Sequence, residues 1–414
     1  MKNLKGVALL GQSGGPTSVI NASAAGVFIE ALKQENITGV YGAIHGIKGI
    51  LNEEFYDITK EDIKELEKLK TTPSSAIGSV RYKLKDPKVD NSEYIKITEI
   101  FKKYNIRYFF YNGGNDSMDT CNKISKFLKN SGWDCNVIGI PKTIDNDLDV
   151  TDHCPGYGSA AKYVATSFME IYHDATVYDT KMITLVEVMG RNAGWLTAAA
   201  QLAKELGQGP DLIYLPEVPF DTEEFFKDVK KILEKKNAVI IAVSEGIKTK
   251  DGLHIPELFA KTLSKDSFGH SQLGGTAHLL GEELKTQLNL KVRVVEFSLL
   301  QRCAAHLASK VDVMEAYEVG KRAVKAAIAG TSDKLIGYKR INSNPYKIKY
   351  VKIPLSKVAN TEKKIPLEWI LPHGQGLTQE FVDYALPLIQ GDYKAKLING
   401  LPDFAKLNKI KVSK

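Results

Sequence analysis

The sequence predicts an α/β fold of two lobes, each a mostly parallel sheet covered by helices, with a ligand cleft between them. Three features carry that expectation. Short apolar runs of strand length alternate with helical stripes along residues 6–330, the pattern of parallel sheets buried on both faces. The alternation restarts near Met182, giving two series joined somewhere within 150–180. The unusual polar clusters each follow directly on a predicted strand, at the carboxyl ends where open parallel sheets gather ligands.

In chain order, the first predicted strand is Gly6–Leu10, which ends in Gly11-Gln-Ser-Gly-Gly-Pro16. Ile20, Ala24, Val27, Phe28 and Ala31 follow at the spacing of one buried helical face. Ile106–Tyr111 is a second predicted strand, running into Asn112-Gly-Gly-Asn-Asp-Ser117 and a helix that carries Cys121, Ile124, Phe127 and Leu128. Val137–Ile140 stops at Pro141, where a loop of alternating carboxylates begins. In the second series, Met182–Val188 leads to Met189-Gly-Arg-Asn192 and a predicted helix with Trp195, Leu196, Ala199 and Leu202. Leu212–Leu215, a helix near Glu223–Lys235 and the strand Ala238–Val243 continue it. Val292–Phe297 reads as a strand and Met314–Ala329 as a helix closed by Gly330. Beyond about 335, Tyr338–Ile353 included, the pattern is mixed and names no packing partner.

Composition narrows the function classes. A chain of 414 residues with 43% hydrophobic and 25% charged residues is ordinary globular material for two to three domains. Its longest strongly apolar runs, such as Ala238–Val243, fall far short of the roughly 20 residues of a spanning helix. The start offers little more than Val7–Leu10 as an apolar stretch, so a cytoplasmic protein with no membrane partner is expected. The net charge of +7 is spread over 49 lysines and seven arginines. No long basic run with interleaved aromatics occurs, so no nucleic-acid partner is expected. Cys121, Cys135, Cys154 and Cys303 form no CxxC pair. Cys303-x-x-His306 and the neighbours His153 and Cys154 lack the paired four-ligand spacing of structural zinc. Buried free thiols are the expectation, and spacing alone leaves a Cys/His nucleophilic pair open.

The clusters suit phosphate chemistry. Gly11–Pro16 presents backbone N–H groups without Cβ obstruction just before a helix, a cradle for phosphate, although tight βα turns use glycine for packing too. It is neither a Walker A loop nor GxGxxG. Gly113-Gly-Asn-Asp-Ser117 is a second such turn: Asp116 or Ser117 as a simple N-cap weighs equally against a phosphate and magnesium platform with Asn115 as an oxygen ligand. Pro141-Lys-Thr-Ile-Asp-Asn-Asp-Leu148 is the most specific segment. Asp145 and Asp147 with Lys142 supply the mixture that phosphoryl transfer requires: a base, a metal ligand and a cation on developing charge. Arg191, Arg293 and Arg302 sit in or near strand-end segments and Arg81 is a fourth candidate; so many of the scarce arginines there favour phosphate recognition over surface ion pairs. Glu245 is either a sugar-hydroxyl acceptor or an exposed turn residue.

Taken together, Gly11-x-x-Gly-Gly-Pro16, Gly113-Gly-x-x-Ser117, Lys142-Thr-Ile-Asp-Asn-Asp147, Met189-Gly-Arg191, Ser244-Glu-Gly246 and Gln301-Arg302 resemble the phosphofructokinase family in order and spacing over roughly residues 5–330. The resemblance implies two Rossmann-like lobes, Mg²⁺, a glycolytic role and a homo-oligomer, dimer or tetramer. It divides the chain into a phosphoryl-donor lobe at 1–155 plus about 303–335, a sugar-phosphate lobe at 156–302, and an extension at 336–414 that packs on both. Asp116 and Lys142, where ATP-using members typically carry glycine, resemble the pyrophosphate-dependent branch; a carboxylate at 116 repels a nucleotide's α-phosphate. The resemblance makes Asp145 the general base on the 1-hydroxyl of fructose 6-phosphate, and Lys142 the cation on the transferring group. It gives Thr143, Ile144, Asp145, Met189, Gly190, Arg191, Glu245, Arg293 and Arg302 to the sugar phosphate, Gly14 and Arg81 to pyrophosphate, and Asn115 and Asp147 to the metal. The chain departs from the family at Asn115, usually aspartate, at Leu299, often histidine, and at Met182 or Lys181, where ATP enzymes lend an arginine to a neighbour. The alternatives are an ATP-dependent enzyme, a sedoheptulose 7-phosphate kinase, and, from another class, a non-catalytic sugar-phosphate-binding subunit.

Overall fold

The computed structural model describes residues 4–259, 275–358 and 362–413. The first lobe opens with strands β1 (Gly6–Gln12), β2 (Ile37–Ala43), β3 (Phe55–Asp57), β4 (Ile106–Gly113) and β5 (Asn136–Pro141). The second lobe holds β6 (Met182–Val188), β7 (Leu212–Tyr214), β8 (Ala238–Ser244) and β9 (Lys291–Glu296) in a wholly parallel sheet of order β7-β8-β6-β9. The chain then returns to the first lobe as β10 (Lys334–Ser343) and β11 (Tyr346–Pro354). The larger sheet therefore runs β11-β10-β5-β4-β1-β2-β3, parallel except for β3 and β11 at its two edges. Two lobes on mostly parallel sheets are what the sequence predicts. The expected boundary near 335 falls inside β10, which pairs with β5 through Lys334 and Leu335, so the start of the extension is part of the first sheet.

Central strands explain the unbroken apolar runs. β1 lies between β4 and β2 and all seven of its residues are buried, because helices cover both faces of such a sheet. The helix Ile20–Ala31 is buried at every position rather than along one stripe. Its second face is covered by the helix Lys310–Ile328, and the two meet at glycines: a Cβ on Gly26 would lie 2.1 Å from the Tyr317 carbonyl oxygen, and one on Gly320 2.2 Å from that of Ser23. The predicted helix through Trp195 and Leu202 is two short turns, Trp195–Ala198 and Gln201–Lys204. Tighter i→i+3 bonds between them, such as Ala200 N–H to Thr197 O at 3.1 Å, interrupt the regular turn. All four cysteines are free, with Cys121 and Cys154 buried, and His153 is bonded to the Asp152 and Glu315 carboxylates rather than to a thiol. Among the described residues no helix is long and apolar enough to cross a membrane.

Candidate active site

A cleft of about 310 Å³ is lined from the carboxyl ends of β1, β4, β5, β6 and β8. All five polar clusters contribute to it. Local hydrogen bonds explain how they are brought together. The Lys142 N–H donates to the Gly113 carbonyl at 3.1 Å, joining the carboxylate loop to the second glycine turn. Gly14, in the left-handed region at φ 76°, donates its N–H to the Val80 carbonyl at 3.0 Å. The Ser79 hydroxyl donates to the Gly14 carbonyl at 2.7 Å, so Arg81 is carried to the rim by the first glycine turn. A Cβ on Gly14 would meet the Lys142 ammonium at 3.2 Å, which ties that glycine to the cation's place as well as to its own backbone.

Lys142 is only 4% exposed, and its Nζ donates to the Gly15 carbonyl at 2.6 Å. Burial lowers its pKa to about 8; Asp145 and Asp147 oppose that shift, and Arg81 and Arg302 add to it. The Asp145 N–H donates to the Thr143 hydroxyl at 3.0 Å, and that hydroxyl lies 3.4 Å from Asp145 Oδ2. Burial raises the Asp145 pKa against the pull of Lys142. Burial and then repulsion by Asp145 raise Asp147 to about 7. The Asn115 amide donates to Asp147 Oδ2 at 3.3 Å, while Asn115 Oδ1 and Asp147 Oδ1 are buried and accept no hydrogen bond. Across the cleft, Glu245 Oε1 accepts the Gly190 N–H at 3.2 Å, and burial, with Asp145 and Glu187 nearby, lifts its pKa to about 7. The Ser244 hydroxyl donates to the Gly190 carbonyl at 2.5 Å and Met189 N–H to Gln301 Oε1 at 3.1 Å, fixing the turn that presents Arg191. Arg302 is half-buried, and burial and Arg81 lower its pKa.

The structure thus brings together Gly14, Arg81, Asn115, Asp116, Lys142, Thr143, Ile144, Asp145, Asp147, Met189, Arg191, Glu245 and Arg302, with Gly190 bonded to Glu245 beside them. It does not bring in Arg293. That residue lies in mid-strand on the edge strand β9, three residues before its carboxyl end, and pairs with Asp174 at 2.6 Å away from the cleft. Asp116 is partly exposed and its carboxylate is 3.9 Å from the Lys83 ammonium. Sequence reasoning missed Glu362, a further carboxylate at the cleft beside Asp116, Asp145, Asp147 and Glu245. It bridges to Leu148, and the following Lys363 N–H donates to the Asp147 carbonyl at 2.8 Å. No motif surrounds Glu362 in the sequence, so nothing local announced it.

This geometry has known counterparts. Residues 7–327 match the family model described as Phosphofructokinase. The chain is 43% identical over 414 residues to a protein of Halomonas elongata named pyrophosphate–fructose 6-phosphate 1-phosphotransferase, covering 98% of this chain and 97% of that one. A protein of Xanthomonas campestris pv. campestris with the same name is 44% identical over 413 residues, again with 98% and 97% covered. The crystal structure of a pyrophosphate-dependent phosphofructokinase from Nitrosospira multiformis superposes with a TM-score of 0.89 at 39% identity, covering 98% of each chain.

Proposed function

The chain belongs to the phosphofructokinase family, and from that premise we propose that it transfers a phosphoryl group from pyrophosphate to the 1-hydroxyl of fructose 6-phosphate, reversibly. The observation that carries the reading is Asp145 and Lys142 in one cleft, a half-buried base and a buried cation between two glycine turns and two arginines. Asp145 takes the proton of the 1-hydroxyl, the freed oxygen bonds to the transferring phosphorus, and the bridging P–O bond breaks to release phosphate. Lys142 stands where charge develops on the transferring group and leaving phosphate. Gly14 and Arg81 hold the pyrophosphate, while Thr143, Ile144, Met189, Gly190, Arg191, Glu245 and Arg302 receive the sugar phosphate. Pyrophosphate is favoured over ATP by Asp116 in the donor half of the cleft and by the names of the relatives.

Mg²⁺ fits this donor set. The unbonded Oδ1 atoms of Asn115 and Asp147 are hard oxygens beside the phosphate cradle, and magnesium takes one or two carboxylates together with waters and phosphates. Those two residues would hold it, and it would neutralise charge on the donor phosphates. The reading includes a cytoplasmic enzyme of glycolysis that works as a homo-oligomer. Arg293 then keeps its sugar-phosphate role only if a neighbouring copy presents it, because it lies outside the cleft of its own chain.

The test is steady-state turnover of purified protein with fructose 6-phosphate, Mg²⁺ and either pyrophosphate or ATP. Turnover with pyrophosphate, near inactivity with ATP, and formation of pyrophosphate from fructose 1,6-bisphosphate and phosphate are expected. Equal or better kcat/KM with ATP overturns the donor assignment.

A further inference from the structure

Asn146 stands between Asp145 and Asp147, is fully buried, and holds a left-handed backbone with φ 55°. Asparagine is among the few residues with a side chain that enter this conformation readily, and its short amide can lock it through hydrogen bonds. Here the side chain is anchored at both ends. Oδ1 accepts the Cys154 N–H at 2.9 Å, which fixes which amide atom is the oxygen. Nδ2 donates to the Tyr384 hydroxyl at 2.7 Å, and that hydroxyl donates onward to the Asp152 carbonyl at 2.7 Å.

Tyr384 comes from the helix Gln379–Ala385, outside the residues matched by the family model. Its own place is well determined. The ring packs on Trp195 with centroids 5.1 Å apart and on Trp369 at 5.9 Å, with the Arg340 guanidinium 4.8 Å from its centroid. Arg340 also bonds Asp152 at 3.0 Å. A rigid aromatic platform from the extension therefore reaches the one residue that separates the proposed base from the proposed metal ligand.

We propose that Tyr384 is a positioning residue for phosphoryl transfer: through Asn146 its hydroxyl fixes the left-handed turn that sets Asp145 and Asp147 relative to each other. The inference rests on the phosphoryl-transfer reading above. Asp145 bonds Thr143 and Asp147 bonds Asn115, but the backbone between the two carboxylates is held from the side by Tyr384 and Cys154. A residue that aligns reacting groups acts on kcat, because ångström-scale misplacement is enough to slow a positioned reaction about a hundredfold. On that reading the ground-state contacts to both substrates come from other residues, so KM should change little.

Tyr384→Phe keeps the ring and removes both hydrogen bonds. With pyrophosphate as donor, kcat is expected to fall about tenfold to a hundredfold, with KM for both substrates changed less than threefold. Asn146→Gly keeps the left-handed turn accessible and breaks the same link from the other end. It should lose kcat similarly, and the double variant should lose no more than the worse single one, since both cut one connection. Phe381→Leu, on the same helix and also packed near Trp195, should lower Tm while leaving kcat per folded molecule unchanged. Asn146→Gly stands alone as the test if Tyr384→Phe does not fold. A kcat within twofold of wild type in the folded Tyr384→Phe or Asn146→Gly protein overturns the proposal, as do additive losses or an equal kcat loss in Phe381→Leu. If the wild-type protein itself shows no turnover, it is the phosphoryl-transfer reading that fails.

Discussion

The Lys142 ammonium donates to the Gly15 carbonyl at 2.6 Å, so the cation of the carboxylate loop is docked on the glycine turn that follows the first strand. Two segments 127 residues apart thereby form one unit. An ammonium has three donors, and the bond to Gly15 uses one. The remaining donors face a cleft that also holds Arg81 and Arg302, a concentration of positive charge suited to a polyanionic donor.

Removing that cation should be costly. Lys142→Met keeps much of the apolar stem and is expected to lower kcat/KM for pyrophosphate on the order of 10²–10³-fold, as loss of one preorganised charge-stabilising donor does. Steady-state kinetics with saturating fructose 6-phosphate checks it, and a loss of less than threefold would take Lys142 out of the reaction.

The two ends of the chain's chemistry differ in how legible they were. Strands β1 and β4 to β9 and the five polar clusters were readable because buried parallel strands are continuous apolar runs, and because glycines, paired carboxylates and scarce arginines stand out after them. Strand β2, whose run is broken by Gly39 and Gly42, and the short edge strand β3 were not read. Arg293 does not reach its own chain's cleft because it lies in mid-strand on β9, whereas ligands gather at the carboxyl ends. Asp116 sits in the cleft, but its ion-pair neighbour is Lys83, from a loop with no motif. Glu362 and Tyr384 were invisible: both arrive from the extension by long-range packing, and neither lies in a segment whose pattern differs from ordinary surface or helix.

The proton inventory sets a pH profile. On the proposed mechanism Asp145 acts ionised, and burial raises its pKa, so kcat/KM should fall as pH drops through that raised value. Lys142 acts charged, and burial lowers its pKa to about 8, so activity should fall again as pH rises through 8. Lys142→Arg keeps its charge at any working pH. It should therefore lose the alkaline limb, whatever its absolute rate, and an unchanged limb would assign it to another group.

Asp145→Asn removes the base while keeping the side chain's shape. A positioned general base contributes about 10²–10⁴-fold, so kcat should fall within that range with KM for either substrate changed far less. Near-normal turnover of the folded variant would remove Asp145 from this role.

Donor choice should respond to Asp116. The residue is partly exposed at the cleft, where, on the proposed reading, its charge opposes a nucleotide's α-phosphate. Asp116→Gly is expected to raise the ratio of kcat/KM for ATP to that for pyrophosphate, without reaching a dedicated ATP enzyme. Adding Lys142→Gly should remove most pyrophosphate activity, and the two effects should be non-additive because both residues line one phosphate site. An unchanged ratio in the folded, active Asp116→Gly protein would sink charge exclusion as the means of selection.

The buried His153 makes stability pH-dependent in a direction that can be checked. Its Nδ1 lies 2.8 Å from Asp152 and its Nε2 2.6 Å from Glu315, with the ring stacked on Tyr338. Burial alone would lower its pKa, but Glu315 and Asp152 outweigh that and raise it to about 9. The folded value therefore exceeds the unfolded one of about 6.5. The protonated pair contributes its full stabilisation below about pH 6.5, and that contribution is lost as pH rises through about 9. Asp152, held down to about 2 by His153 and Arg340 against the opposing effect of burial, stays ionised throughout this window and does not contribute to the change. Lys142 acts the other way: its folded pKa is depressed, so above about pH 8 its titration favours the folded state. The informative quantity is thus the difference in Tm between wild type and His153→Gln. That gap should be widest at pH 6.5 and close by several degrees toward pH 9.5. A gap that is constant or widens with pH would mean that His153 is buried neutral and that the two carboxylates do not hold it charged.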